Sequence, residues 1–149
     1  MMIADNLFAA GKGYAIAVRE LTKSLPTSPA VELPLHFLAG FAFELSLKAA
    51  VFATHRNEAQ LRILGHDLIA CLASAKTDGY QVPQGFGIEE VIEAIAPAHA
   101  AFEYRYVPDV EKIQTAAQRH LLPALGKHID AIESQFEVWT NSREPLDPR

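Results

Sequence analysis

The pattern of apolar and polar residues singles out residues 35–53, where nearly every side chain is apolar. A helix without a polar face belongs in the centre of a bundle, so we predict a central helix over residues 35–54. The polar or small exceptions recur every four residues, which stacks them into one slowly drifting stripe along a helix. The members of this stripe are His36, Gly40, Glu44 and Lys48.

Four further segments have the three-and-four spacing of amphipathic helices. Asp67 suits the start of the segment at residues 66–77, because its carboxylate can accept hydrogen bonds from the free N–H groups of a first helical turn. Gly79 suits the end of the same segment. Pro108 is read as the start of the last and longest segment. The four segments are residues 5–25, 66–77, 88–95 and 109–139.

Prolines predict where these helices break. Pro29 and Pro34 predict a loop before the central helix, Pro97 is expected to kink or end the helix at 88–95, and Pro123 is expected to kink or divide the last helix. Residues 102–107 alternate like a strand, but no other segment could pair with them, so we expect no strand.

The sequence therefore predicts an all-α fold, an up-and-down bundle of about five helices around the central apolar helix. The bundle forms one domain over residues 1–140, and residues 141–149 form an extended or frayed tail.

Composition narrows the possible functions. The 149 residues carry a formal net charge of −5 and their Lys and Arg residues are scattered, so broad DNA binding is not expected. Cys71 is the only cysteine, which excludes an internal disulfide. Glu44 and Lys48 would each cost about 2.5–3.5 kcal/mol at a bilayer centre, so we expect no membrane span. The first residues lack the layout of a secretory signal, and we expect a cytoplasmic protein.

Glu44 and Lys48 are the starting point for candidate chemistry, because charges on a mostly buried helix are costly unless they are paired. They can form a purely structural ion pair, or they can belong to a polar cluster that His66, Asp67 and Arg105 complete. His66 alone is more typical of a capping or hydrogen-bonded histidine than of a catalytic one. Arg105 suits either packing or anion binding, since its guanidinium group presents a fork of donors.

Other sequence motifs give no catalytic or metal signature. His120 and His128 are eight residues apart, unlike the one-turn spacing of a helical metal pair, and no phosphate loop or nucleophile elbow is present. We therefore expect no metal and no cofactor.

Short motifs resemble those of the HEPN superfamily (higher eukaryotes and prokaryotes nucleotide-binding), in a little-characterised bacterial branch. The resemblance implies a compact helical bundle, frequent homodimers and, in many members, metal-independent ribonuclease activity in toxin–antitoxin, defence or RNA-processing systems. It makes the polar cluster with Tyr106 a candidate ligand site. The residues that carry the resemblance are Glu44 with the 47–49 Leu-Lys-Ala run, the 65–68 Gly-His-Asp-Leu run, and the 104–106 Tyr-Arg-Tyr run.

The chain departs from the pattern of active family members, in which a histidine follows an arginine by a few residues on the last main helix. Here Arg119 is followed at once by His120, and Arg62 lies slightly too close to His66. Two hypotheses result. One is a homodimeric binding module whose cluster receives a nucleotide, an RNA end or another anion; the other is a metal-independent ribonuclease that uses His66 or His120 with an arginine.

Overall fold

The computed structural model describes residues 2–24, 29–55, 57–104 and 115–141. Within these ranges the chain forms six α-helices and no β-strand, which confirms the all-α prediction. The helices are α1 (Met2–Ser24), α2 (Pro29–His55), α3 (Glu58–Leu64), α4 (Leu68–Thr77), α5 (Ile88–Ala100) and α6 (Gln118–Asn141).

Helix α2 lies at the centre, because it contacts each of the other five helices. Leu35, Phe43 and Leu47 are completely buried along its length. Burial of each such side chain contributes about 1.5–3 kcal/mol relative to exposure, so α2 supplies much of the stability of the fold. The residues of the predicted apolar helix, 35–54, all lie within α2.

The predicted loop before the central helix is wrong, because α2 begins at Pro29 and continues through Pro34. A proline inside a helix removes one backbone hydrogen bond and costs about 3 kcal/mol. The extra turns bury Val31 at 5% exposure and let the Glu32 carbonyl accept a hydrogen bond from the His36 ring at 2.7 Å. These tertiary and local contacts offset the cost that the sequence pattern alone suggested.

At two other prolines, the predicted alternatives in which the helix ends or is divided are wrong. Helix α5 passes Pro97 and ends at Ala100, and α6 is continuous across Pro123 rather than divided. The last helix begins at Gln118, not near Pro108, and residues 115–117 precede it without helical structure. The Ala116 N–H donates to Nε2 of buried His36 at 3.0 Å, which ties this backbone to α2 instead of to a helical turn.

Helix α4 matches its prediction closely. It is capped by Asp67, whose Oδ1 accepts from the Ala70 N–H at 3.0 Å, and its last residue, Thr77, is followed by Asp78 and Gly79. The polar connection predicted before it contains the short helix α3, capped by Asn57. Helix α3 is therefore the addition to the expected five helices.

Gly11 allows α1 to approach α2 closely. A Cβ atom at this position would lie 3.0 Å from the Ser46 backbone nitrogen and 3.2 Å from the Ala42 carbonyl oxygen, nearer than real Cβ atoms normally come. The contact explains a glycine in the middle of a helix, where it weakens the backbone by about 0.5–1 kcal/mol.

Cys71, predicted to be buried, has no exposed surface, and burial raises the pKa of its thiol to about 12.

Residues 31–54 are long and apolar enough to cross a membrane, with a mean hydropathy of 1.5. In the fold 67% of the most apolar window is buried against other helices. The core helix of a globular domain meets the same criterion of length and composition.

Candidate functional site

A buried carboxylate on α2 gathers three basic side chains from three parts of the chain. Oε1 of Glu44 lies 2.8 Å from Nδ1 of His66 and 2.9 Å from Nε2 of His99, while Oε2 lies 3.2 Å from Nζ of Lys48. His66 stands in the short connection before α4 and His99 in the last turn of α5. We call Glu44, Lys48, His66 and His99 the Glu44 cluster.

Glu44 is ionised in this setting. Burial alone would raise its pKa, but hydrogen bonds from His99 and His66 and the charge of Lys48 together lower the pKa below its ordinary value of 4.5. An ionised carboxylate only accepts hydrogen bonds, so both imidazoles donate to it. His66 therefore carries a proton on Nδ1, and His99 carries one on Nε2.

His99 is held in one orientation by close packing. Its side chain is 2% exposed, and its ring meets the edge of the Phe41 ring with 4.9 Å between centroids. A Cβ atom at position 40 would lie 2.3 Å from Nδ1 of His99, so only glycine leaves room for the imidazole. Gly40 and Glu44 are one turn apart on the predicted stripe. Gly40 leaves room for the Nδ1 side of the His99 ring, and Glu44 bonds to its Nε2 side.

His66 is the solvent-facing member of the cluster. Its side chain is 42% exposed, whereas that of Lys48 is 12% exposed and that of Glu44 is 2% exposed. The His66 ring packs edge-on against Phe102, with 4.8 Å between centroids, in the turn after α5. Phe102 has a φ of 56°, a backbone conformation that costs a non-glycine residue roughly 1–2 kcal/mol.

The predicted cluster forms in part. Glu44, Lys48 and His66 meet as expected, and Asp67 contributes the cap of α4 described above rather than a contact with Glu44. Arg105 and Tyr106 lie outside the described residues.

His99 was missed by the sequence reasoning, although a signal was available. It continues the buried face of α5 formed by Ile88, Ile92 and Ile95, at the position where another apolar residue is expected. A histidine on such a face requires a polar partner, because an unpaired buried donor is costly. Glu44 is that partner.

The remaining member of the stripe, His36, lies apart from Glu44. It is fully buried, donates from Nδ1 to the Glu32 carbonyl and accepts the Ala116 N–H at Nε2. Nδ1 thereby bonds within α2, and Nε2 joins α2 to the backbone before α6. His36 has a structural role.

A second buried network also begins on α2. The Ser46 hydroxyl donates to the Ala42 carbonyl at 2.7 Å and accepts from Nε2 of His128 at 2.6 Å, and the Tyr80 hydroxyl donates to Nδ1 of His128 at 2.6 Å. Burial lowers the pKa of His128 to about 3 and raises that of Tyr80. Every member is buried, so this chain of hydrogen bonds links α2, α6 and the α4–α5 connection without access for a substrate.

Arg119 and His120 form a separate, exposed pair at the start of α6. The guanidinium Nε of Arg119 lies 3.2 Å from Nε2 of His120. No described contact joins this pair to the Glu44 cluster within one chain. Any site that combines the two requires further residues or a second copy of the chain.

No family model, curated protein or solved structure matches this chain. The geometry of the Glu44 cluster itself indicates which chemistry is open to it. An ionised carboxylate that orients an exposed imidazole can hold an anion, transfer a proton or bind a cation.

Proposed function

We propose that this protein is a HEPN-like homodimeric binding module, an up-and-down helical bundle whose Glu44 cluster receives the phosphate of a nucleotide, an RNA end or another anion. The observation that carries the proposal is the orientation of His66. Its Nδ1 donates to buried Glu44, so its other nitrogen, Nε2, is available to a ligand on the exposed side of the ring.

Charge in the cluster favours an anion once His66 is protonated. Lys48 offsets the charge of Glu44, so only the imidazolium form of His66 would give the group a net positive charge. A hydrogen bond between an imidazolium and a phosphate oxygen is charge-assisted and about twice as strong as a neutral one. The net charge of −5 opposes long nucleic acids, which favours a nucleotide or a short RNA end as the ligand.

The metal-independent ribonuclease is the second candidate, and one observation favours it. A carboxylate that fixes the tautomer of a histidine is the arrangement of a general base, and the Glu44 and His66 pair has this form. Arg119 and His120 would supply a cation and a second proton donor from the exposed start of α6.

Binding of nucleoside diphosphates and short RNA oligonucleotides, measured by isothermal titration in EDTA, tests the first proposal. We expect His66→Ala to weaken binding by about tenfold, which corresponds to one charge-assisted hydrogen bond of about 1.5 kcal/mol. Lys76→Met is the control, because Lys76 pairs with Glu89 on an exposed surface outside the cluster. Equal affinity in wild type and His66→Ala would contradict the proposal.

Cleavage of structured and single-stranded RNA in EDTA separates the two candidates. The binding module predicts no turnover above that of a blank preparation. Robust cleavage that disappears in His66→Ala, or in Arg119→Ala and His120→Ala, would establish the ribonuclease instead.

A further inference from the structure

The Glu44 cluster also has the donor set of a metal site. One donor atom from each of Glu44, His66 and His99 lies within 4.8 Å of the other two. Two imidazoles and one carboxylate form a common protein ligand set for first-row transition metals. We propose that these three residues bind a divalent first-row transition cation of the Zn²⁺ type, contrary to the expectation from sequence that no metal is bound.

The distances are close to those that a cation needs. Nδ1 of His66 and Nε2 of His99 lie 2.8 and 2.9 Å from the same oxygen of Glu44. Two ligand atoms on a tetrahedral zinc ion are about 3.3 Å apart, since each lies about 2.0–2.1 Å from the metal. The distance from Oε1 to each nitrogen therefore has to lengthen by about half an ångström, through movement of the exposed His66 ring and of the Glu44 carboxylate rather than of the closely packed His99 ring.

The protonation states of the three side chains also allow a cation to replace the imidazole protons that face Glu44. Glu44 is already ionised, and the two imidazole protons that point at its oxygen occupy the positions a cation would take. Each imidazole would bind as a neutral ring through the nitrogen that now faces Glu44, so the proton on that nitrogen has to shift to the nitrogen facing away from the metal. Gly40 and Phe41 hold His99 in place beforehand, which reduces the ordering that binding requires.

Lys48 opposes the cation and gives the proposal its sharpest test. Its ammonium group lies 3.2 Å from the other oxygen of Glu44, so its charge repels a divalent ion bound at Oε1. Replacing Lys48 with methionine should therefore strengthen metal binding. A network made only of hydrogen bonds predicts no such gain.

Zn²⁺ binding to chelator-stripped protein should be measured by competition with a chromophoric chelator, and Co²⁺ binding by visible absorption. We expect one ion per chain and an increase in metal affinity on the order of tenfold for Lys48→Met. His66→Ala removes a metal ligand, so it should lower the metal affinity by more than the roughly 10- to 100-fold that loss of an outer-shell partner typically costs. Lys76→Met, which removes the same charge outside the cluster, should behave as wild type.

No binding, unchanged affinity in His66→Ala, or equal effects of Lys48→Met and Lys76→Met would each overturn the proposal. Far-UV circular dichroism confirms that each variant is folded before titration. Because the titration contains no nucleotide or RNA, its failure leaves the anion-binding role standing, and a failure of anion binding in EDTA leaves the metal site standing.

Discussion

Replacing Gly40 with alanine should break the contact between His99 and Glu44. An ideal Cβ at position 40 would lie 2.3 Å from Nδ1 of His99 and 2.9 Å from both Cγ and Cε1. These atoms belong to a rigid ring packed against Phe41, so the ring must move by about 1 Å to reach ordinary van der Waals separation. A shift of this size lengthens the 2.9 Å hydrogen bond to Glu44 beyond hydrogen-bond range.

Three contributions set the expected change in the free energy of unfolding. Overpacking of a buried site costs about 1–3 kcal/mol. Loss of a hydrogen bond to a charged group costs about 1.5–3 kcal/mol. Alanine regains about 0.8–1 kcal/mol of helix propensity relative to glycine. The sum predicts that Gly40→Ala destabilises the protein by about 2–5 kcal/mol.

Urea unfolding followed by far-UV circular dichroism measures this change. Gly13→Ala is the matched control, because a Cβ there meets nothing within 4 Å and should stabilise α1 by about 0.5–1 kcal/mol. In a His99→Ala background the clash is absent, so Gly40→Ala should cost little. A neutral Gly40→Ala, or the same cost with and without His99, would refute the reasoning.

Three further predictions follow from burial, charge and family resemblance. Glu44→Leu leaves Lys48 without its partner and should lower the free energy of unfolding by about 3–5 kcal/mol in urea titrations, and a neutral result would show that the pair is dispensable. Because burial lowers the pKa of His128 from 6.5 to about 3, the unfolded chain takes up the proton first, so stability is full above pH 6.5 and declines as the pH falls towards 3. The loss between about pH 8 and pH 5 should be about 2 kcal/mol and should shrink in His128→Gln, while an equal loss in both proteins would count against it. Light scattering should give twice the 16.3 kDa mass of one chain, and a monomer at micromolar concentration would exclude the homodimer.

The central helix and three of the four members of the Glu44 cluster were predictable because burial leaves few alternatives. A helix without a polar face has to be surrounded by others, and α2 contacts every other helix. A buried carboxylate has to find partners, which made Lys48, one turn away, and His66, after a loop, reasonable candidates. These inferences depend on the desolvation cost of particular groups and need no knowledge of the remaining packing.

The features that sequence reasoning missed depend on contacts distant in the chain. His99 reaches Glu44 only because α5 packs against α2, and the fit depends on the absent side chain of Gly40. The start of α2 was placed too late because local proline rules omit the burial of Val31. Tertiary packing outweighs a local preference of a few kcal/mol at such positions.

The two polar networks on α2 differ in a way that bears on function. The network of Ser46, His128 and Tyr80 ends at a backbone carbonyl, and all of its members are buried, so its hydrogen bonds explain its presence. The Glu44 cluster contains two charged side chains, Glu44 and Lys48. Removing them from water costs more free energy than burying an apolar pair of similar volume. It also ends at a histidine, His66, with 42% of its side chain exposed. The Glu44 cluster therefore combines an electrostatic cost with exposure to solvent, whereas the Ser46 network has neither.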